Sequence, residues 1–264
     1  MRHSRNLTTY HCHTRLSDGK NSVKEMIDAA TQKGFKEIGF SDHLVLHPEI
    51  RHIEWAMPVN KLADYVAEVR SEAVNSKISV KLGLEVDFFP NNPRIKELLK
   101  ILKSFDFDFL VGSIHFLSSF PLDYAKTDWA SLSKKEINEK YEEYWDAMKQ
   151  LMQSEIFTFV GHLDLPKKFT YYPSKDFTGK ICDVLDVAKE NRKIIEINTS
   201  GWNKPCKEAY PSEKILQMCA RRNIPIIIND DAHSVAQLGQ HFEKAEKLAI
   251  KNACSIISLE ACLN

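Results

Sequence analysis

The stretch Leu7-Thr-Thr-Tyr-His-Cys-His13 is a short β-rich run that ends in two histidines, and a helical segment follows it. Ser22-Val-Lys-Glu25 has the S-x-x-E pattern of a capping box and predicts the start of that helix. A second β-rich run, Glu37-Ile-Gly-Phe40, then ends in Ser41-Asp-His43. The order strand, helix, strand, with histidine at each strand end, is typical of one unit of an α/β protein.

The same alternation continues along the chain. Strands are predicted at Leu7–Tyr10, Glu37–Phe40, Ser79–Leu84, Phe107–Ser113, Phe157–Gly161, Lys193–Ile197 and Pro225–Ile228. Further helices are predicted from Ser133 to about Ser154 and near 59–76, 92–104, 178–191, 212–222 and 236–251. Seven or eight such repeats, without a linker rich in Pro, Gly or Ser, predict one closed TIM-like α/β barrel domain over residues 1–264. An open doubly wound sheet is the alternative, but no G-x-G-x-x-G turn is present.

Composition narrows the classes of partner. The 36 basic and 36 acidic residues cancel, which argues against a nucleic acid polymer or a membrane surface as partner. No apolar run is long enough to span a bilayer, and the N-terminus lacks the apolar stretch of a signal peptide. The six cysteines form no C-x-x-C pair, so reduced thiols are expected. Together these features predict a cytoplasmic protein.

Histidines and carboxylates gather at the predicted strand ends. Six of the ten histidines lie at or just past such an end, namely His11, His13, His43, His115, His162 and His233. Glu85 and Asp231 take similar positions, and side chains two apart on a strand point the same way, as in His11-Cys-His13. Because the strand–helix loops of an α/β barrel converge on that rim, we expect a metal site there.

These motifs, taken in order, resemble a known family. H-x-H with S-D-G, then S-D-H, G-L-E, S-I-H, G-H-x-D and D-A-H are similar to the motifs of the polymerase and histidinol phosphatase (PHP) family, from His11 to about Gly239. Gly83-Leu-Glu-Val-Asp-Phe-Phe89, together with Glu196-Ile-Asn-Thr-Ser-Gly201 and Tyr210-Pro-Ser, looks most like its histidinol-phosphate phosphatases. The resemblance implies a distorted (β/α)7 barrel that holds two to three divalent metal ions.

The resemblance also implies a set of ligands for each ion. The first metal would be bound by His11, His13, Glu85 and Asp231, the second by Glu85, His115 and His162, and the third by Asp18, His43 and His233. Imidazole and carboxylate ligands suit zinc, manganese or iron. Three such ions would outweigh three ligand carboxylates, so the pocket would be cationic and would attract a phosphate dianion.

The chemistry expected of this site is hydrolysis of a small-molecule phosphate ester. A metal-bridged hydroxide would attack phosphorus. The resemblance implies that the substrate is L-histidinol phosphate, hydrolysed to L-histidinol and phosphate in histidine biosynthesis. Asp42 and Asp164 are candidates for proton transfer to the leaving group, or for orienting a ligating histidine.

Loop residues are candidates for substrate contacts. Lys207, Arg15 and Lys204 are the candidates for the phosphate, and Lys167 and Lys168 also lie near the rim. The leaving group would meet side chains among Asp87, Phe88, Phe89, Tyr124 and Trp202. The cationic residues could equally be solvated loop side chains, and the aromatic residues could equally belong to the core.

Three other functions are compatible with parts of this pattern. A PHP-type phosphoesterase acting on nucleotides or phosphodiesters would keep the same metal ligands and differ in loops around 44–57, 116–130 and 201–210. An amidohydrolase-type barrel would also begin with H-x-H but would commonly carry a bridging lysine, where this chain has Glu85 and His115. A non-catalytic metal-binding module would be expected to have lost ligands, and none of the nine positions has.

Overall fold

A parallel sheet forms the centre of the molecule. The structure is a computed structural model that describes residues 7–260. The seven main strands are β1 (Leu7–Thr9), β2 (Phe35–Phe40), β3 (Ser79–Asp87), β4 (Phe109–Ser113), β5 (Phe159–Val160), β6 (Ile195–Asn198) and β7 (Ile226–Asn229). They lie in chain order, and each pairs in parallel with the next.

The sheet is nearly closed by contacts just past the ends of β1 and β7. Cys12 and Ala232 form a parallel bridge, in which the His13 N–H donates to the Ala232 carbonyl at 2.9 Å. The Ala232 N–H in turn donates to the His11 carbonyl at 3.1 Å. The predicted seven-stranded distorted barrel is therefore confirmed, and two metal-ligand candidates belong to its seam.

Helices alternate with the strands. They are α1 (Val23–Gln32), α2 (Leu62–Val74), α3 (Ile95–Lys103), α4 (Lys126–Ala130), α5 (Lys134–Gln153), α6 (Thr178–Glu190), α7 (Glu213–Arg221) and α8 (Phe242–Lys251). Ser22 and Ser133 form the capping boxes predicted for α1 and α5. The helix predicted over 236–251 begins only at Phe242, and the five-residue α4 was not predicted.

Two short pairings extend the sheet toward the rim. His43–Leu44 continues beyond β2 and pairs in parallel with β3, which sets His43 opposite Glu85. After β4, Phe116–Leu117 and Phe120–Pro121 form an antiparallel hairpin that the sequence analysis did not predict. Both pairings hold rim segments close to the strand ends, where His43 and His115 lie.

The barrel interior beneath the rim is apolar. Phe109 and Val111 pack with Tyr10, Phe159 and Ile227 in one buried cluster. Alternation along a strand puts Phe109 and Val111 on the same face as Ser113, whose hydroxyl donates to Glu85 at 2.5 Å. The polar groups at the rim therefore lie above a packed, apolar floor.

Candidate metal centre

Glu85, near the end of β3, is the hub of the site. Its side chain is 1% exposed, and its Oε2 lies 3.1 Å from His11 Nε2 and 2.9 Å from His43 Nδ1. Its Oε1 lies 2.8 Å from His162 Nε2. His13 and His115 are slightly farther from the Glu85 carboxylate, at 3.5 and 3.7 Å. One buried carboxylate is thus surrounded by five of the six predicted histidines.

Two more carboxylates close the remaining sides. Asp231 Oδ1 lies 3.3 Å from His13 Nε2 and 3.7 Å from His11 Nε2. Asp18 Oδ2 lies 3.1 Å from His233 Nε2, while its Oδ1 lies 3.7 Å from His43 Nε2. All nine residues that the resemblance implies as ligands therefore converge on one site.

The atoms that face each other here fit metal ions better than hydrogen bonds. His11 Nε2, both ring nitrogens of His13, His43 Nδ1 and Glu85 Oε2 are buried and have no hydrogen-bond partner among residues 7–260, although ligand atoms lie nearby. A buried polar atom without a partner costs free energy, so such a cluster needs an occupant. Divalent cations would bind the Glu85 oxygen and one ring nitrogen of each histidine in this cluster.

The ligand atoms fall into overlapping groups. Sets that lie within 4.8 Å of one another are His13 with Asp18, His43 and His233; His11 with Glu85 and His162; His11 with His13 and Asp231; and His43 with Glu85 and His115. Glu85 belongs to two sets, as a bridging ligand would. The sets differ in detail from those implied by the resemblance, because His115 and His162 do not share one. Which residue binds which ion stays a prediction.

Two carboxylates to which the sequence analysis gave no such role hold His11 and His115 in place. Glu196 Oε1 lies 2.8 Å from His11 Nδ1, and its Oε2 accepts from the backbone N–H of His162 at 2.9 Å. Asp87 Oδ1 lies 2.5 Å from His115 Nδ1. An ionised carboxylate can only accept, so both rings carry their proton on Nδ1 and direct Nε2 toward Glu85.

Sequence signals for these two residues existed. Glu196 is a charged residue inside the otherwise apolar strand run Ile194-Ile-Glu-Ile197, which favours a buried polar role. Asp87 is two residues after Glu85 and so shares its face of β3. The sequence analysis considered Asp87 as a contact for the leaving group, whereas its side chain is buried against His115.

Electrostatics keep the site in a mixed protonation state. Burial opposes the charged form of His115, but Asp87 and Glu85 together raise its pKa to about 10. Burial lowers the pKa of His13 to about 3, with help from His233 and another neighbouring imidazole. Burial acts to raise the pKa of Glu85, yet the surrounding imidazoles hold it well below its usual range. The central carboxylate is therefore ionised and ready to bind cations.

Asp42 fixes the loop that carries Asp18. Its carboxylate is fully buried and accepts from the Thr14 N–H at 2.9 Å, the Thr14 hydroxyl at 3.0 Å and the Ser17 hydroxyl at 2.5 Å. The same loop contains Gly19, where a larger residue would not fit because a Cβ would clash with the His13 carbonyl. Asp42 thus bonds to the loop and not to a histidine ring.

Asp164 joins two other loops. Its Oδ2 accepts from Lys167 Nζ at 3.0 Å and from the Ser212 N–H at 2.9 Å. Burial raises the pKa of this carboxyl group. Lys167 is buried as well and also donates to the Ala209 carbonyl at 2.7 Å. Neither Asp164 nor Lys167 lines the cavity over the metal centre.

A cavity of about 380 Å³ lies over the site, and seven of the nine residues line it. Beyond the histidines its lining includes Lys168, Lys204, Asp123, Trp55 and Tyr124. Lys204, one of the sequence candidates for a phosphate contact, thus lines the cavity, and Lys168 lines it as well. Arg15 and Lys207, the other candidates from sequence, are exposed and do not line the cavity. Trp55, which the sequence analysis did not single out, sets its ring edge-on to His43 at 4.6 Å and to His115 at 5.3 Å.

Comparison with known proteins identifies the family. The model of the PHP domain matches residues 9–200, which is most of the chain and includes seven of the nine residues. The chain belongs to the PHP family.

Within the PHP family, several relatives that match most of this chain are named histidinol-phosphatases. A probable histidinol-phosphatase of Deinococcus radiodurans is 31% identical over 240 residues, which cover 90% of each chain. The histidinol-phosphatase of Bacillus subtilis is 26% identical over 258 residues, covering 88% of this chain and 96% of its own. A Lactococcus lactis histidinol phosphate phosphatase, solved with zinc, L-histidinol and phosphate, superimposes with a TM-score of 0.77 at 22% identity and covers 96% of this chain and 95% of its own.

Within residues 7–260 of this PHP protein, no helix is both long and apolar enough to cross a membrane. Five of the cysteines, at positions 12, 182, 206, 219 and 254, are free thiols, as the sequence analysis expected. Cys262 lies outside the described residues.

Proposed function

We propose that this PHP protein is a metal-dependent phosphomonoesterase that hydrolyses L-histidinol phosphate to L-histidinol and phosphate. The observation that carries the proposal is the convergence of nine candidate ligand residues, with Glu85 at their centre, at the base of a cavity that also contains two lysines. The names of the relatives that match nearly the whole chain support the choice of substrate. The neighbouring structure that holds zinc, L-histidinol and phosphate supports the same choice.

The residues that would hold the ions are His11, His13, Asp18, His43, Glu85, His115, His162, Asp231 and His233. Divalent zinc, manganese or iron held there would supply Lewis-acid charge and a water of lowered pKa near neutral pH. Glu85, which belongs to two of the ligand sets, is proposed as the bridging carboxylate. The buried carboxylates of Glu196 and Asp87 keep His11 and His115 in the tautomer that such binding requires.

The phosphate group would lie between the ligand cluster and the lysines. Lys204 and Lys168 line the cavity from two different loops, so their ammonium groups can neutralise phosphate oxygens that face away from the ligand cluster. Lys168 is held in place by Asp123, because its Nζ donates to the Asp123 carbonyl at 2.6 Å and to the carboxylate at 3.0 Å. A cation fixed before substrate arrives stabilises developing charge without further reorganisation.

Asp42 is proposed to act by fixing the loop that carries Asp18. Its oxygens already accept three hydrogen bonds from Thr14 and Ser17, which leaves the carboxylate poorly suited to give a proton to a leaving group. Asp164 is proposed to act similarly on the loop that reaches Ser212. The proton of the departing alkoxide would then come from solvent in the open part of the cavity.

Substrate kinetics with metal analysis test the proposal. We expect kcat/KM for L-histidinol phosphate to exceed that for a generic aryl phosphate and for a panel of nucleotides and phosphodiesters. Treatment with a chelator should abolish the activity, and zinc, manganese or iron should restore it. A kcat/KM for L-histidinol phosphate no better than that for the aryl phosphate would refute the substrate assignment. Preference for a nucleotide would move the protein to another phosphoesterase activity.

A further inference from the structure

The cavity over the metal centre contains one carboxylate that the ligand set does not use. Four carboxylates line it, and three of them, Asp18, Glu85 and Asp231, are among the nine proposed ligands. The fourth is Asp123, whose side chain is 26% exposed. Within the described residues that line this cavity, Asp123 is thus the sole carboxylate left for a substrate.

Asp123 is fixed beside the metal centre by its backbone. The Leu122 N–H donates to the His115 carbonyl at 2.8 Å, so the residue that follows Leu122 starts next to a proposed ligand. The hairpin Phe116–Leu117 with Phe120–Pro121 makes the turn that brings the chain back to this point. The position is set by local chain geometry, and no movement is needed to bring the carboxylate into the cavity.

One carboxylate oxygen of Asp123 accepts no hydrogen bond. Lys168 Nζ donates to the Asp123 backbone carbonyl and to Oδ2, whereas no hydrogen bond joins Oδ1 to any of the described residues. The Oδ2 atom of Asp123 lies 3.0 Å from the ammonium nitrogen of Lys168, and this ion pair favours the charged form of the carboxyl group. The group is therefore an anion with one free oxygen, in a pocket that also contains two lysines and several aromatic side chains.

The free carboxylate oxygen of Asp123 suits a substrate that carries an ammonium group. An amino-alcohol phosphate such as L-histidinol phosphate carries an ammonium group three bonds from the ester oxygen, and a cationic metal centre repels it. An ionised carboxylate at the edge of that centre offsets the repulsion and accepts a charge-assisted hydrogen bond. Tyr124, adjacent in sequence and 68% exposed at the cavity wall, offers an aromatic face for the rest of the leaving group.

We propose that Asp123 binds the ammonium group of the leaving alcohol and so makes the enzyme selective for phosphate esters of amino alcohols. This inference rests on the proposed function, because it assigns a recognition element to the same cavity. It differs from a purely structural role, in which Asp123 would only hold Lys168 against the phosphate.

The test compares two substrates in each variant. L-Histidinol phosphate and its desamino analogue, 3-(imidazol-4-yl)propyl phosphate, differ only in the ammonium group. The ratio of their kcat/KM values cancels any general effect on folding or metal content. We expect the wild-type ratio to favour the aminated ester, and Asp123→Asn to lower the ratio about 10- to 100-fold through loss of one charge-assisted bond.

Two control variants separate the possible roles. Lys168→Met, which removes the proposed phosphate contact but keeps the Asp123 carboxylate, should lower both kcat/KM values while the aminated ester remains the preferred substrate. Asp183→Asn, which removes an exposed carboxylate on α6 outside the cavity, should leave the ratio unchanged.

An unaltered ratio in Asp123→Asn would overturn the assignment, whether both substrates slow equally or neither slows. A wild type active on both esters but indifferent to the amine would overturn it too, while leaving the phosphatase function intact. A wild type inactive on both would instead refute the proposed function, and the Asp123 assignment with it.

Discussion

Replacing Glu196 with Gln probes the carboxylate behind the metal centre. Glu196 is fully buried, and its two oxygens accept from four donors. Oε1 faces His11 Nδ1 at 2.8 Å and Asn229 Nδ2 at 2.9 Å, and Oε2 faces the His162 N–H at 2.9 Å and Asn198 Nδ2 at 3.0 Å. A glutamine amide presents one NH2 end, so in either orientation two of the four donors meet another donor.

The structure sets the size of the effect. Each lost bond to the charged group costs about 1.5 to 3 kcal/mol, so the free energy of unfolding should fall by about 3 to 6 kcal/mol. A glutamine oxygen no longer obliges His11 to keep its proton on Nδ1, because the amide can also donate to that nitrogen. Loss of a carboxylate that orients a metal-binding histidine typically weakens metal affinity or activity about 10- to 100-fold.

The assay combines three measurements on one sample. Denaturant unfolding gives the loss of stability, competition with a chelator gives the zinc affinity, and steady-state kinetics on L-histidinol phosphate give kcat/KM. Glu196→Asp, which remains an acceptor only, should lose less affinity than Glu196→Gln. Glu139→Gln, at an exposed i,i+4 pair with Lys135 on α5, controls for the chemistry of the exchange and should change little. Wild-type zinc affinity and kcat/KM in Glu196→Gln would refute the argument that Glu196 fixes the His11 tautomer.

Three further outcomes are expected. Glu85→Gln should abolish turnover and lower the bound metal measured by elemental analysis, since it removes the proposed bridging charge; retained activity would contradict that role. Lys204→Met should lower kcat/KM about 10-fold by loss of a charged contact, whereas Lys207→Met, on the same loop but outside the cavity, should not; equal effects would contradict the phosphate assignment. The metal-stripped protein should lose stability as pH rises from 6.5 toward about 9 to 10, because folded His233 and His115 keep protons, with pKa values of about 9 and about 10, that the unfolded chain releases. Denaturant unfolding across this range checks the sign, and stability that rises with pH would contradict it.

The strand ends and their histidines could be predicted from sequence for a simple reason. Parallel strands bring their carboxyl ends to one rim, so His11, His43 and His162 had to meet once the alternation of strands and helices was recognised. Local rules also sufficed for the starts of α1 and α5, because a capping box joins residues only three positions apart. Topology brought the strand-end histidines together, whereas the full set of nine candidate ligands came from the resemblance of the ordered motifs to the PHP family.

Tertiary structure alone decided what surrounds those ligands. Lys204 lines the cavity and Lys207 does not, although three positions separate them, because a loop has no period that predicts where its side chains point. The sequence shows only that Glu196 is one charged residue in an apolar strand. The four hydrogen-bond donors around its carboxylate become visible only in the folded structure. Asp123 reaches the cavity through a hairpin that begins after His115. The sequence therefore determined the metal-binding rim through the periodicity of its strands, whereas long-range contacts between loops decided how that rim is supported and which charges face the substrate.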